Sequence, residues 1–115
     1  MSDYTTLLID LTQEIMKFRE DREWGKFHSP RNLAMSISIE AAELLEIFQW
    51  RADDGVDFDV LNRAADELAD VMIYCINFAE TCGFDISNVI RAKMEANARK
   101  YPADTAQLAL FEDGA

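Results

Sequence analysis

The chain has 115 residues, half of them hydrophobic, which suits one folded domain with a modest core rather than a disordered chain. Its 22 acidic residues against 11 basic ones leave a formal net charge of −11. Such a balance argues against a DNA or RNA duplex as partner, because phosphate backbones are bound by Lys and Arg surfaces. A single nucleotide is still allowed, since metal ions can hold its phosphates.

The opening MSDYTTLLIDLTQE has neither a basic region nor a long apolar run, so no signal peptide is expected. The first apolar stripe is Tyr4, Leu8, Leu11, Ile15 and Phe18, in steps of three and four, which predicts a helix over 4–22. Trp24-Gly25-Lys26-Phe27-His28 breaks that period and reads as a loop. Ser29 as N-cap and Pro30 at the first helical position open a second helix. Its core stripe is Leu33, Ile37, Ala41, Leu44 and Phe48, and it stops near Arg51, before Asp53-Asp54-Gly55.

A third helix is expected from Val60 to Cys82, with Leu61, Leu68, Val71, Met72, Cys75, Ile76 and Ala79 as its apolar face and Gly83 as a left-handed C-terminal cap. The run VMIYCINFAETC within it is broken by Asn77 and Glu80 and is too short to span a bilayer. Cys75 and Cys82 on one helix would stand about 10.5 Å apart, too far for a disulfide. Both thiols are expected to pack in the core of a reduced, cytoplasmic protein. Asp85 caps a fourth helix over 86–100, which ends at Tyr101-Pro102. A tail, 103–115, carries Leu108, Leu110 and Phe111, either loose or docked on a neighbouring subunit. The expected architecture is an all-α four-helix bundle over 1–102, and helices this apolar in a small chain point to a homo-oligomer.

Two acidic doublets stand out. Glu40 and Glu43 sit in SIEAAELLE, and Glu67 and Asp70 in DELADVMIY. Residues three apart share a helix face, about 60° apart around the axis. Each doublet borders an apolar stripe, where unpaired carboxylates are costly. On facing helices the four would repel one another unless a cation sat between them. The alternative is four solvated acids on helix surfaces. A di-iron carboxylate bundle needs Glu-x-x-His on two helices, and His28 in a loop does not supply it. Oxygen ligands alone point to Mg²⁺, with Mn²⁺ also acceptable. Glu46, rotated about 120° from Glu40, and Asp66 are expected to be exposed or outer acids.

At these residues the chain resembles the MazG-like all-α nucleotide pyrophosphohydrolases, in particular their dCTP pyrophosphatase branch. The matching segments are REWGKFHSPRNLAMSISIEAAELLEIFQW, DELADVMIY and KMEANARKYP. The resemblance implies a homotetramer and a Mg²⁺-dependent reaction in which a nucleoside triphosphate and water give the monophosphate and pyrophosphate. It implies that Glu40, Glu43, Glu67 and Asp70 hold the ions and carry the catalysis. It places Trp24 and Trp50 at the base pocket, with His28 and Arg31 beside it. Tyr74, one turn after Asp70, and Lys93, Asn97 and Tyr101, four apart on the fourth helix, become candidates for phosphate, sugar or base contacts. Taken alone, the tryptophans and Phe27 could equally close the ends of a bundle, Lys93 and Arg99 could be solvated, and His28 could be a loop residue. The dCTP-specific relatives carry a histidine where this chain has Ile15, so the resemblance permits a relaxed or modified-pyrimidine specificity.

The leading reading is therefore a house-cleaning pyrophosphatase for dCTP or a modified dCTP. Its rivals are a non-catalytic nucleotide- or Mg²⁺-binding helical protein and an acidic adaptor that docks through its tail.

Overall fold

The structure is a computed structural model that describes residues 2–51 and 55–103. Those residues form four α-helices and one 3-10 turn: α1 Leu8–Asp21, the turn Trp24–Phe27, α2 Pro30–Gln49, α3 Phe58–Cys82 and α4 Ile86–Lys100. No strand occurs among the described residues, so the all-α class holds. Asp53, Asp54 and residues 104–115 lie outside the described residues, and with them almost all of the expected tail.

The caps set the helix ends. The Ser29 Oγ accepts from the Asn32 N–H at 3.1 Å, and Pro30 occupies the first turn of α2. Asp57 Oδ1 accepts from the Val60 N–H at 2.9 Å, so α3 starts at Phe58, two residues earlier than expected. Gly83 closes α3 at φ 73, a left-handed conformation that costs glycine nothing. The first helix is shorter than expected. Ser2 accepts backbone hydrogen bonds from Thr5 and Thr6, which makes a separate turn, and α1 begins only at Leu8. The expected loop after α1 contains the 3-10 turn, entered through Glu23 in the left-handed region at φ 55.

The chain divides into two compact units, one ending at Gly83 and the other beginning at Phe84. In the first unit α2 packs on α3 and α1 packs more lightly on α3. The core is small: Leu33 and Ile47 from α2, and Val60, Ile76 and Ala79 from α3. In α2 the expected stripe holds at Leu33 and, half-buried, at Ile37 and Leu44, whereas Ala41 and Phe48 are exposed. In α1 and α3 the expected stripe holds only in part, at Ile15 in the first and at Val71, Ile76 and Ala79 in the second. Tyr4 is 99 % exposed, and Leu8, Leu11 and Phe18 point outward, while Thr12, Ile15, Met16 and Arg19 face in. Leu61, Leu68, Met72 and Cys75 are exposed, so the expected core role of Cys75 is corrected. The helix has apolar residues on more than one face, and its inner face is the one that carries Val60, Glu67, Val71, Tyr74 and Asn77. A helix with two apolar faces buries one in its own unit and leaves the other for a neighbour.

The second unit is α4, capped by Asp85, whose Oδ2 accepts from the Asn88 N–H at 2.9 Å. Arg99 and Lys100 lie in its last turn, where cations oppose the helix dipole.

Candidate active site: facing carboxylates beside a polar wall

As α2 runs forward from Glu40 to Ile47, α3 runs back from Asp70 to Arg63, and the two doublets meet on the facing surfaces. Glu40, Glu67 and Asp70 each offer an oxygen such that all three lie within 4.8 Å of one another. Glu43 lies beside Glu40 and Glu67 and completes the quartet that the spacing predicted.

The electrostatics follow from that crowding. Desolvation first, then hydrogen bonding and charge from Glu43, then the charges of Asp70 and Glu67, push the Glu40 carboxyl up from 4.5 to about 7. Desolvation and the Glu43 and Asp70 charges also raise the Glu67 carboxyl, and a hydrogen bond with Glu40 partly opposes them. One oxygen of each, Glu40 Oε2 and Glu67 Oε2, is buried without a hydrogen-bond partner. Two shielded acceptors without a donor, at the centre of like charges, suit a cation as their partner. The donor set is oxygen only, which fits a hard divalent ion such as Mg²⁺.

On one side of the quartet is a cavity of about 250 Å³ lined by Glu43, Glu46, Ile47, Arg63, Asp66 and Glu67. Glu46 and Asp66, read from the sequence as further acids near the doublets, border this cavity, and both are exposed. Arg63 brings the one positive charge to its lining, and its guanidinium stands 4.0 Å from Asp59.

The inner face of α3 continues past Asp70 to Tyr74 and Asn77. The His28 ring meets Tyr74 edge-on with 6.4 Å between centroids. Burial and the charge of Arg19 lower the His28 pKa, and a hydrogen bond with Asn77 partly offsets them. Asn77 is only 3 % exposed. Its Nδ2 donates to the Ile73 carbonyl at 2.9 Å, and its Oδ1 accepts from Arg19 Nη1 at 3.5 Å. The sequence reading missed Arg19 and passed over Asn77 as a mere interruption of an apolar run. A polar residue inside such a run was the available signal for Asn77, and nothing in the α1 segment marked Arg19.

His28 and Tyr74 thus stand on the carboxylate face of α3. Trp24 stacks edge-on against Phe18 at 5.7 Å and is about half exposed, within the short turn that leads to His28. Trp50, the C-cap of α2 and 85 % exposed, is three helical turns beyond Glu40, so one chain does not bring it to the His28–Tyr74 side. Arg31 is exposed in the first turn of α2. In the second unit Lys93 and Asn97 are exposed, four apart along α4, and the Tyr101 N–H donates to the Asn97 carbonyl at 2.7 Å.

The fold and the facing doublets define the class: an all-α protein with an acidic cluster between two helices that could hold a metal ion. Within that class the chain belongs to the MazG-like family, whose profile matches residues 35–109 and so includes both doublets. It is 37 % identical over 105 residues to human dCTP pyrophosphatase 1, covering 87 % of this chain and 62 % of that protein. It is 36 % identical over 100 residues to the Bos taurus dCTP pyrophosphatase 1, covering 83 % and 59 %. The chain therefore spans about three-fifths of the length of these curated relatives. Its fold matches the crystal structure of a pyrophosphatase from Archaeoglobus fulgidus with a TM-score of 0.78 and 39 % identity, over 90 % of this chain and 99 % of that one.

Proposed function

We propose that the chain is a metal-dependent nucleoside triphosphate pyrophosphatase that converts dCTP or a modified dCTP, with water, to the monophosphate and pyrophosphate. The observation that carries this reading is the convergence of Glu40, Glu67 and Asp70 within 4.8 Å, with buried oxygens lacking partners. The resemblance to proteins named as pyrophosphatases supports the reaction type.

In this reading Glu40, Glu43, Glu67 and Asp70 hold Mg²⁺, with Mn²⁺ as a substitute. When bound, the metal draws phosphate oxygens into the acidic site, screens developing charge and acidifies water. The four carboxylates would position the ion between α2 and α3. Four negative charges close to neutralise about two divalent ions, which leaves the phosphates facing a site that no longer repels them. Tyr74 and His28 line the route along α3 away from the carboxylates and suit a sugar or base. Trp24 and Trp50 offer exposed rings for stacking. Lys93, Asn97 and Tyr101 are proposed to reach phosphate, sugar or base from α4. The exposed face of Leu61, Leu68 and Met72 supports a homo-oligomer, proposed to be a tetramer.

The test is Glu67→Ala. Its turnover of dCTP is expected to fall by at least 100-fold, with helical circular dichroism unchanged. Full activity in a folded Glu67→Ala protein would refute the assignment. A non-catalytic nucleotide binder predicts tight binding with no pyrophosphate released from any substrate.

A further inference from the structure

Among the described residues, Arg19 is a cation without an anion. Arginine side chains removed from water are normally paired with a carboxylate or fully hydrogen-bonded. Arg19 faces inward from α1, its Nε is buried without a partner, and among the described residues it makes no ion pair. Its single assigned contact is the 3.5 Å hydrogen bond from Nη1 to Asn77 Oδ1. A position in the last turn of α1 suits a cation, but that effect is equally available to a solvated side chain and does not account for the turn inward.

The surroundings keep the guanidinium in one place. The Asn77 amide donates to the Ile73 carbonyl, which leaves its oxygen to be shared by Arg19 and His28. Gly25 of the 3-10 turn lies close by: a Cβ there would stand 3.7 Å from Arg19 Nε. His28, whose Nδ1 is also buried without a partner, closes the group together with Tyr74. None of these neighbours is a carboxylate. The structure has therefore built a fixed, donor-rich wall and supplied it with too few acceptors.

Its place gives the missing acceptor an identity. Asn77 is seven residues past Asp70 on the same face of α3, about 10 Å along the helix. That is the span of a nucleoside whose phosphates lie at the carboxylates. Resting on the nucleotide reading above, we propose that Arg19, positioned by Asn77, selects the base by donating to adjacent acceptors on its edge. A guanidinium presents parallel N–H groups in a planar fork. Cytosine offers O2 and N3 side by side, both acceptors. Thymine and uracil place an N3–H donor where the fork also donates. Arg19 thus discriminates by attraction to cytosine and by a donor–donor clash with its rivals. Ile15, one turn earlier on the same inward face of α1, offers no donor, so the polar reading of the base falls to Arg19.

The experiment compares kcat and KM for dCTP and dTTP in wild type, Arg19→Met, Arg19→Lys and Asn77→Ala. Equilibrium binding of dCMP and dTMP is measured alongside by tryptophan fluorescence. Arg19→Met is expected to lose about 10-fold or more of the dCTP-over-dTTP preference, mainly through KM, because a bidentate pair to a base edge carries discrimination of that order. Arg19→Lys keeps the charge without the fork and recovers only part of it. Asn77→Ala, which frees the guanidinium, falls between. The dCMP-over-dTMP binding ratio falls in the same order.

An unchanged dCTP-to-dTTP ratio in a folded Arg19→Met protein overturns the proposal. So does an equal loss on both substrates, which marks a phosphate contact or a structural role, and so does a wild type without cytosine preference. Should Arg19→Met fail to fold, the Arg19→Lys and Asn77→Ala ratios decide. A wild type that releases no pyrophosphate refutes the enzymatic reading alone, and the binding ratios still decide the role of Arg19.

Discussion

Replacing Glu40 by Gln should make the metal-free protein more stable and the metal-loaded protein weaker. The Glu40 carboxyl is raised from 4.5 to about 7 in the folded chain. Between those values the folded state retains a proton that the unfolded state has released, so stability falls as pH rises through that window. Below 4.5 both states are protonated and no cost arises. Above about 7 the cost is complete. At 1.36 kcal/mol per pKa unit the rise corresponds to about 3 kcal/mol, and solvent screening at this partly exposed site reduces it to about 1 kcal/mol. Glutamine keeps the shape and removes the charge. In EDTA at pH about 8, thermal unfolding of Glu40→Gln should therefore occur about 4 °C above wild type. With Mg²⁺ in large excess the order should reverse. A ligand at 100 times its Kd adds about 2.7 kcal/mol to the state that binds it, and the variant loses much of that gain. Differential scanning fluorimetry with EDTA and with MgCl₂ reads both. A variant less stable than wild type in EDTA, or one that shows the full Mg²⁺ shift, would refute the like-charge and shared-ion argument together.

Two further perturbations test how the fold presents the site. Leu33, 1 % exposed at the start of α2, should cost about 2–5 kcal/mol as Ala, a large part of the stability of a core this small, read by urea titration. Asp57→Ala removes the cap that starts the carboxylate-bearing α3 and should cost about 1 kcal/mol, with Mg²⁺-dependent activity retained below the melting temperature.

The helices were legible because their signals are local. Ser29-Pro30, Asp85 and Gly83 act through their own turn, and the structure shows each cap where the sequence placed it. The acidic quartet was legible for the same reason: a spacing of three fixes a face, and two such faces bordering apolar stripes are costly unless a cation lies between them. Which apolar face turns inward was not legible. In α3, Leu61, Leu68, Met72 and Cys75 are as apolar as the buried set, and only packing against α2 distinguishes them. Tyr4 continued the apolar period of α1, but local hydrogen bonds of Ser2 and Thr5 ended the helix before reaching it. Arg19 and Asn77 are 58 residues apart, and nothing in either segment alone announces the other. Trp50 shows the opposite case, a residue prominent in the sequence that the fold of one chain leaves 85 % exposed.

The most direct test of the central claim is the product analysis of dCTP incubated with the full chain and MgCl₂, with an EDTA control. The account predicts dCMP and pyrophosphate in equal amounts, abolished by EDTA. No turnover by folded, Mg²⁺-loaded protein, or release of inorganic phosphate with dCDP, would contradict it.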